Sequence, residues 1–255
     1  MEEQRWRTVV ENPLSANLMT MTQFIQQCSN TPHTVNDVVF VGTFAVFQDY
    51  EVCTKTLSSL PNLRRLGFVN AHMQMFQLKV PTLLRNVTDI SFRSCRLSQF
   101  PVNILILLGM QLRSIDLANN FLTSLSVLGP HLKMCYNLSS INLSKNQFSE
   151  LPEDVSLVGS LAKLNISNNR VTDITADHFS KLKRLQHLDL SYNGSITELP
   201  RELFELPDLR RLDLTGLTSL VSPPYELAKD GIDVVKKYFA NKAKNRWLEG
   251  KKDTA

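Results

Sequence analysis

From residue 63 onward the apolar positions of the chain follow a spacing that neither a helix nor a half-buried strand produces by itself. In the stretch 185–200, LQHLDLSYNGSITELP, Leu185, Leu188, Leu190 and Asn193 stand at positions 1, 4, 6 and 9 of a unit. A helix repeats near 3.6 residues and a strand near 2. The same unit returns at Leu63, Val87, Leu112, Leu138, Leu161, Leu185 and Leu209, its starts 24, 25, 26, 23, 24 and 24 residues apart. Self-similarity at such a period marks a stack of structural repeats. Within each unit, positions 4 and 6 share one face of a short strand, and positions 3, 5 and 7 share the other. Positions 4 and 6 are Leu, Ile or Phe in every copy, so they are expected inside. A degenerate earlier copy, NDVVFVGTFAVF, is expected from Asn36, 27 residues before Leu63.

Position 9 is Asn120, Asn146, Asn169 and Asn193 in four copies. An amide can both donate and accept, so it can satisfy backbone groups where the chain turns off a strand, which makes these residues structural. Ala71, Cys95 and Leu217 occupy the same place elsewhere, and those turns are expected to be looser or differently bridged. In the last two copies the next apolar residue arrives one position late, at Ile196 and Leu220, which predicts a one-residue bulge.

The pattern LxxLxLxxNxL resembles the leucine-rich repeat family over residues 63–221. The resemblance implies an α/β fold: a right-handed leucine-rich repeat solenoid with a parallel sheet on its concave side and helical, 3₁₀ or extended returns on its convex side. Such a stack must cover its end faces. Residues 1–35 carry Leu14, Leu18, Met21, Phe24 and Ile25 at helical intervals and are read as an N-terminal helical cap. Their Glu- and Arg-bearing start is unlike a signal peptide. Residues 36–221 form the solenoid, residues 222–249 the C-terminal capping helices, and residues 250–255 a basic tail. Pro223, Pro224, Glu226, Leu227, Gly231, Val235, Tyr238 and Phe239 are similar to the closing segment of intracellular repeat proteins related to Ras-binding scaffolds.

The composition, 43% hydrophobic over 255 residues, suits one continuous repeat domain. Cys28, Cys53, Cys95 and Cys135 are scattered and form no terminal disulfide cluster. A reducing setting, cytoplasmic or nuclear, is therefore expected, without a membrane span. The sequons at Asn86, Asn137, Asn142, Asn165 and Asn193 arise largely because the repeat itself spells Asn-Leu-Ser or Asn-Ile-Ser. The formal charge of +4 sits entirely in residues 229–255, with 8 basic and 4 acidic side chains against 20 and 20 before them.

No HExxH, CxxC, GxSxG or phosphate-binding loop occurs, and His131 with Cys135 makes too small a set for zinc. The chain is therefore expected to be non-enzymatic, with no cofactor and no catalytic or metal site. Function is sought on the outward face of the sheet, where large and charged residues form two clusters. The forward cluster is Arg64, Arg65, Arg93 and Arg113, with Asp116 beside it. The rear cluster is His187, Tyr192, Arg210 and Arg211, and Lys163, Asp189 and Asp213 of the neighbouring columns complete the expected binding set. Arginine and aromatic side chains dominate protein hot spots, so the expected partner is another protein, bound by a chain monomeric on its own. Nucleic acid and membrane are not expected partners. The other reading is a structural subunit of a ribonucleoprotein or membrane-associated complex that uses the basic tail.

Overall fold

The computed structural model describes residues 9–11, 21–41, 55–71, 84 and 86–252. Among these, nine strands form a single parallel sheet in chain order. They are β1 (Val9–Glu11), β2 (Asp37–Val41), β3 (Arg65–Val69), β4 (Asp89–Arg93), β5 (Ser114–Asp116), β6 (Ser140–Asn142), β7 (Lys163–Asn165), β8 (His187–Asp189) and β9 (Arg211–Asp213). The pairing puts equivalent repeat positions side by side, with Arg65, Asp89, Ser114, Ser140, Lys163, His187 and Arg211 in one row. The solenoid expectation therefore holds, residue for residue, from β3 to β9.

The inward columns are the core. Position 4 runs Val38, Leu66, Ile90, Ile115, Ile141, Leu164 and Leu188, all buried, and position 6 runs Phe40, Phe68, Phe92, Leu117, Leu143, Ile166, Leu190 and Leu214, also buried. At the front, position 6 is an aromatic stack. Phe40 and Phe68 lie 5.4 Å apart and Phe68 and Phe92 5.3 Å apart, while Phe24 closes the front edge-on at 5.8 Å. Ile196 and Leu220, each one position late, are buried in the same core.

Two expectations about the front end change. Asp37 lies opposite Arg65, so the early repeat is framed on the buried Val35 and not on Asn36. Residues 9–11 are a strand paired with β2, where a helical flank was expected. The helix α1 (Met21–Asn30) follows and buries Phe24 and Cys28; Leu14 and Leu18 lie outside the described residues.

The convex returns are short. They include α2 (Asn103–Leu108), α3 (Gly129–Leu132), α4 (Arg201–Phe204) and several 3₁₀ turns. At the far end, α5 (Tyr225–Ala228) and α6 (Ile232–Lys252) lie beyond the last strand. The α6 backbone runs through residue 252, so the first half of the expected basic tail, residues 250–252, belongs to the helix. Phe239 of α6 packs on Phe204 at 5.2 Å, and Val235 is buried beside it.

Position 9 acts as the sequence implies. The Asn193 amide donates to the Ile166 and Leu190 carbonyls and accepts from the Val171 N–H. Asn120, Asn146 and Asn169 repeat this bridging between neighbouring turns. Where Cys95 replaces Asn, its thiol donates to the Phe68 and Arg93 carbonyls, which supplies the donor half of the amide's role.

Position 8 of each of the seven repeats from Leu63 is left-handed, at Asn70, Ser94, Asn119, Lys145, Asn168, Tyr192 and Gly216. Asn and Gly tolerate that conformation best, and they hold four of the seven places.

Two stability changes are expected. Asn193→Ala leaves buried backbone groups unsatisfied and should cost about 2–4 kcal/mol in denaturant unfolding. A loss below about 0.5 kcal/mol would remove the amide bridge from the account. Phe239→Ala opens the contact between α6 and the last convex helix and should cost about 3 kcal/mol. An unchanged unfolding midpoint would mean that α6 does not hold the end of the stack.

Candidate partner-binding surface

The outward face divides into two chemically different halves. At the front, position 3 alternates in sign through Asp37, Arg65 and Asp89. Arg65 makes a two-pronged ion pair with Asp37, at 2.5 and 2.6 Å, and the Asp37 side chain is only 3% exposed. That hydrogen-bonded pairing raises the pKa of the Arg65 guanidinium. Arg93 pairs with Asp116 at 2.7 Å. Burial pushes the Asp116 carboxyl above its usual value, with Arg93 and the Ala118 N–H opposing that rise. Of the forward cluster, then, Arg65 and Arg93 are committed within the sheet, and Arg64 and Arg113 are exposed at its margin.

Position 5 explains why the rear strands are short. From β5 onward it is Asp116, Asn142, Asn165, Asp189 and Asp213, and one side-chain oxygen of each accepts the N–H two residues later. These bonds form side-chain turns that divert the position-7 N–H from the ladder. The front strands carry Val39, Gly67 and Ser91 there and run for five residues, whereas the rear strands have three. Asp189 and Asp213 therefore each have one oxygen tied to the backbone.

At the rear, position 3 has one sign: Lys163, His187 and Arg211 stack on β7, β8 and β9. Together with Asp189, Arg210, Asp213, Tyr225 and Lys229 they line a concavity of about 970 Å³ between the last four strands and the α5–α6 junction. Among the described residues, Lys163, Arg210 and Arg211 take part in no ion pair, while Lys229 pairs with Glu226 at 2.9 Å. The His187 pKa is lowered by burial and then by Arg211, Lys163 and Arg210. Its Nδ1 is buried without a hydrogen-bond partner among the described residues. Leu212 is the position-4 side chain that stays half-exposed here, because no further repeat stacks on it.

The concavity thus gathers three of the four residues of the expected rear cluster, His187, Arg210 and Arg211, together with Lys163, Asp189 and Asp213 of the wider expected set. Tyr192 stands apart, exposed, with its ring over Gly216, where an added Cβ would come within 2.9 Å of it. The contributions of Tyr225, Lys229 and Ile232 went unseen in the sequence, where their segment carried only a capping signal. Among the described residues, no group of three or more His, Cys, Asp or Glu is placed to hold a metal, and no helix is long and apolar enough to cross a membrane.

Residues 159–220 match the family described as leucine rich repeat. The chain is 28% identical to rat (Rattus norvegicus) osteomodulin over 65% of its own length and 36% of that protein. It is 31% identical to chicken (Gallus gallus) lumican over 63% of its length and 45% of that protein. It therefore spans well under two thirds of these relatives. Among solved structures, an internalin from Listeria monocytogenes superposes with a TM-score of 0.54 at 17% identity, covering 84% of this chain and 60% of that one. The fold is a leucine-rich repeat solenoid.

The field at His187 can be measured directly. By NMR titration its imidazole should protonate below the ordinary value of 6.5. Because the folded pKa is the lower one, this residue's contribution to stability is complete above 6.5 and is lost as pH falls through the folded value. Replacing Lys163 and Arg211 together by Ala should move the native pKa upward, and an unmoved pKa would show that these cations do not act on His187.

Proposed function

We propose that this leucine-rich repeat solenoid is a non-enzymatic adaptor that binds another protein through the rear half of its concave sheet. The supporting observation is the contrast between the two halves. The forward arginines Arg65 and Arg93 are spent on carboxylates of the sheet, whereas Lys163, Arg210 and Arg211 have no such partner among the described residues and face a concavity large enough to admit a chain segment. Arginines are enriched among the anchors of protein interfaces. The binding set is accordingly centred on Lys163, His187, Asp189, Arg210, Arg211 and Asp213, with Arg64, Arg113 and Tyr192 as rim residues.

A signalling role rests on the closing segment from Pro223 to Phe239 and its likeness to Ras-group scaffolds. A reducing compartment rests on the thiols. Cys28, Cys95 and Cys135 are free and buried, each pushed up to about 11 by burial, which leaves them poor nucleophiles. The matched relatives lend no support to a cytoplasmic setting, so the cysteines alone carry that part of the reading.

The test uses partners captured from native lysate and identified by mass spectrometry. Arg210→Ala with Arg211→Ala should leave melting unchanged and weaken the main partner by about 2 kcal/mol or more. Arg64→Ala with Arg113→Ala should weaken it by less than about 1 kcal/mol. Retained binding in the first double variant, with loss on Lys181→Glu and Lys183→Glu of the convex side, would place the interface on the outer surface.

A further inference from the structure

Building on that reading, we propose that the rear concavity accepts an acidic, extended segment of the partner that carries an apolar side chain beside its carboxylates. The walls and the floor of the site differ in chemistry. Among the described residues, Lys163, Arg210 and Arg211 present cations without an ion-pair partner, and Lys229, paired with Glu226, stands on the cap side. The two acids between them are held low, because Asp189 accepts from the Ser191 N–H and hydroxyl and Asp213 from the Thr215 N–H. The cations therefore reach further toward an incoming chain than the carboxylates do. His187, whose pKa is lowered first by burial and then by these cations, stands among them, and its buried Nδ1, without a hydrogen-bond partner among the described residues, offers one more polar contact.

The floor is incomplete in a specific way. Leu212 is half-exposed although its counterparts Leu164 and Leu188 are each 2% exposed, and half-buried Ile232 and Tyr225 line the same space. An apolar side chain entering there would cover Leu212 as a further repeat would have done, at about 25 cal/mol per Å² of apolar surface removed from water. The site's width sets the segment length. Three strand spacings of about 4.8 Å make roughly 14 Å, which an extended chain crosses in about four residues.

A nucleic acid fits the same place poorly. Its phosphates repeat at every step, whereas the cations stand beside Asp189 and Asp213, which would repel each phosphate laid over β8 and β9. A peptide can put its carboxylates over the cations alone and an apolar residue over the floor.

The experiment selects peptides from a displayed random library of about ten residues, long enough to overrun the roughly 14 Å site, against the whole chain. Enriched sequences should carry two or more Asp or Glu close to a Leu, Ile, Met or Phe. Their affinity should fall about tenfold or more with Lys163→Glu or Arg211→Glu at unchanged melting temperature, and less with Arg113→Glu. Enriched peptides that are neutral or basic, yet lose binding with Arg211→Glu, would overturn the acidic assignment and leave the concave reading standing. Acidic peptides indifferent to both rear substitutions would overturn both. A selection that enriches no acidic sequence, or an oligothymidylate that binds the chain more tightly than any enriched peptide, would also overturn the inference.

Discussion

Every turn of this molecule has to leave the sheet with its backbone still inside the protein, and that requirement organises the rest. A strand of three to five residues ends against a packed core, where water cannot reach the carbonyls and N–H groups of the turning chain. Leaving such groups unpaired costs about 1–3 kcal/mol each. The position-9 amides meet the need by donating to carbonyls of two successive turns and accepting an N–H. A second line of side chains does the same where the chain enters β3 to β7. Asn62, Asn86, Gln111, Asn137 and Ser160, each just before position 1, donate to backbone carbonyls of the preceding turn. Two polar ladders therefore fix the pitch from both ends of the strand, and the fixed pitch is what brings the outward residues into columns.

How far this was legible depends on the kind of signal each position carries. The inward columns are apolar in every copy, so hydrophobic spacing alone identifies them from Leu66 to Leu214. The amide at position 9 is legible because a group that both donates and accepts suits that turn best, and it recurs in four of the seven copies from Leu63. The left-handed residue at position 8 left a weaker trace, Asn or Gly in four copies of seven, because Ser94, Lys145 and Tyr192 are held there by the surrounding turns. The first repeat was misframed by one residue, since Asn36 and Val35 fit the degenerate pattern almost equally and only the pairing of Asp37 with Arg65 separates them. That single shift hid the most consequential ion pair of the forward face. With Asp37 placed outside the position-3 column, Arg65 looks free for a partner.

Position 5 shows why a consensus residue can be chemically informative at long range. An Asp or Asn there reads as ordinary family composition, yet its oxygen captures the N–H two residues later and stops the strand. The bond ties up one oxygen of the side chain; Asp116 still pairs with Arg93 through its other oxygen, whereas Asp189 and Asp213 form no ion pair among the described residues. In the front repeats, which lack this side chain at position 5, the strands continue and opposite charges meet across adjacent strands instead. One local hydrogen bond therefore sets the length of the strand.

The same-sign column of Lys163, His187 and Arg211 then needs a physical account. Two unit charges about 5 Å apart in water repel by roughly 0.8 kcal/mol, and the stack relieves this partly by keeping His187 neutral, its pKa lowered by burial and by its cationic neighbours. Alternation of sign, as in Asp37, Arg65 and Asp89, would relieve it more fully at no cost to the core, because position 3 faces outward in every repeat. The rear column gives up that relief. Its only described neighbours of opposite sign, Asp189 and Asp213, are partly consumed by their own turns, and the cap places a further cation, Lys229, on the opposite wall. Repulsion held this way is stored in the free protein and released when a negative group enters. The fold, which fixes the strand spacing through its amide ladders, cannot relax the column by moving the strands apart.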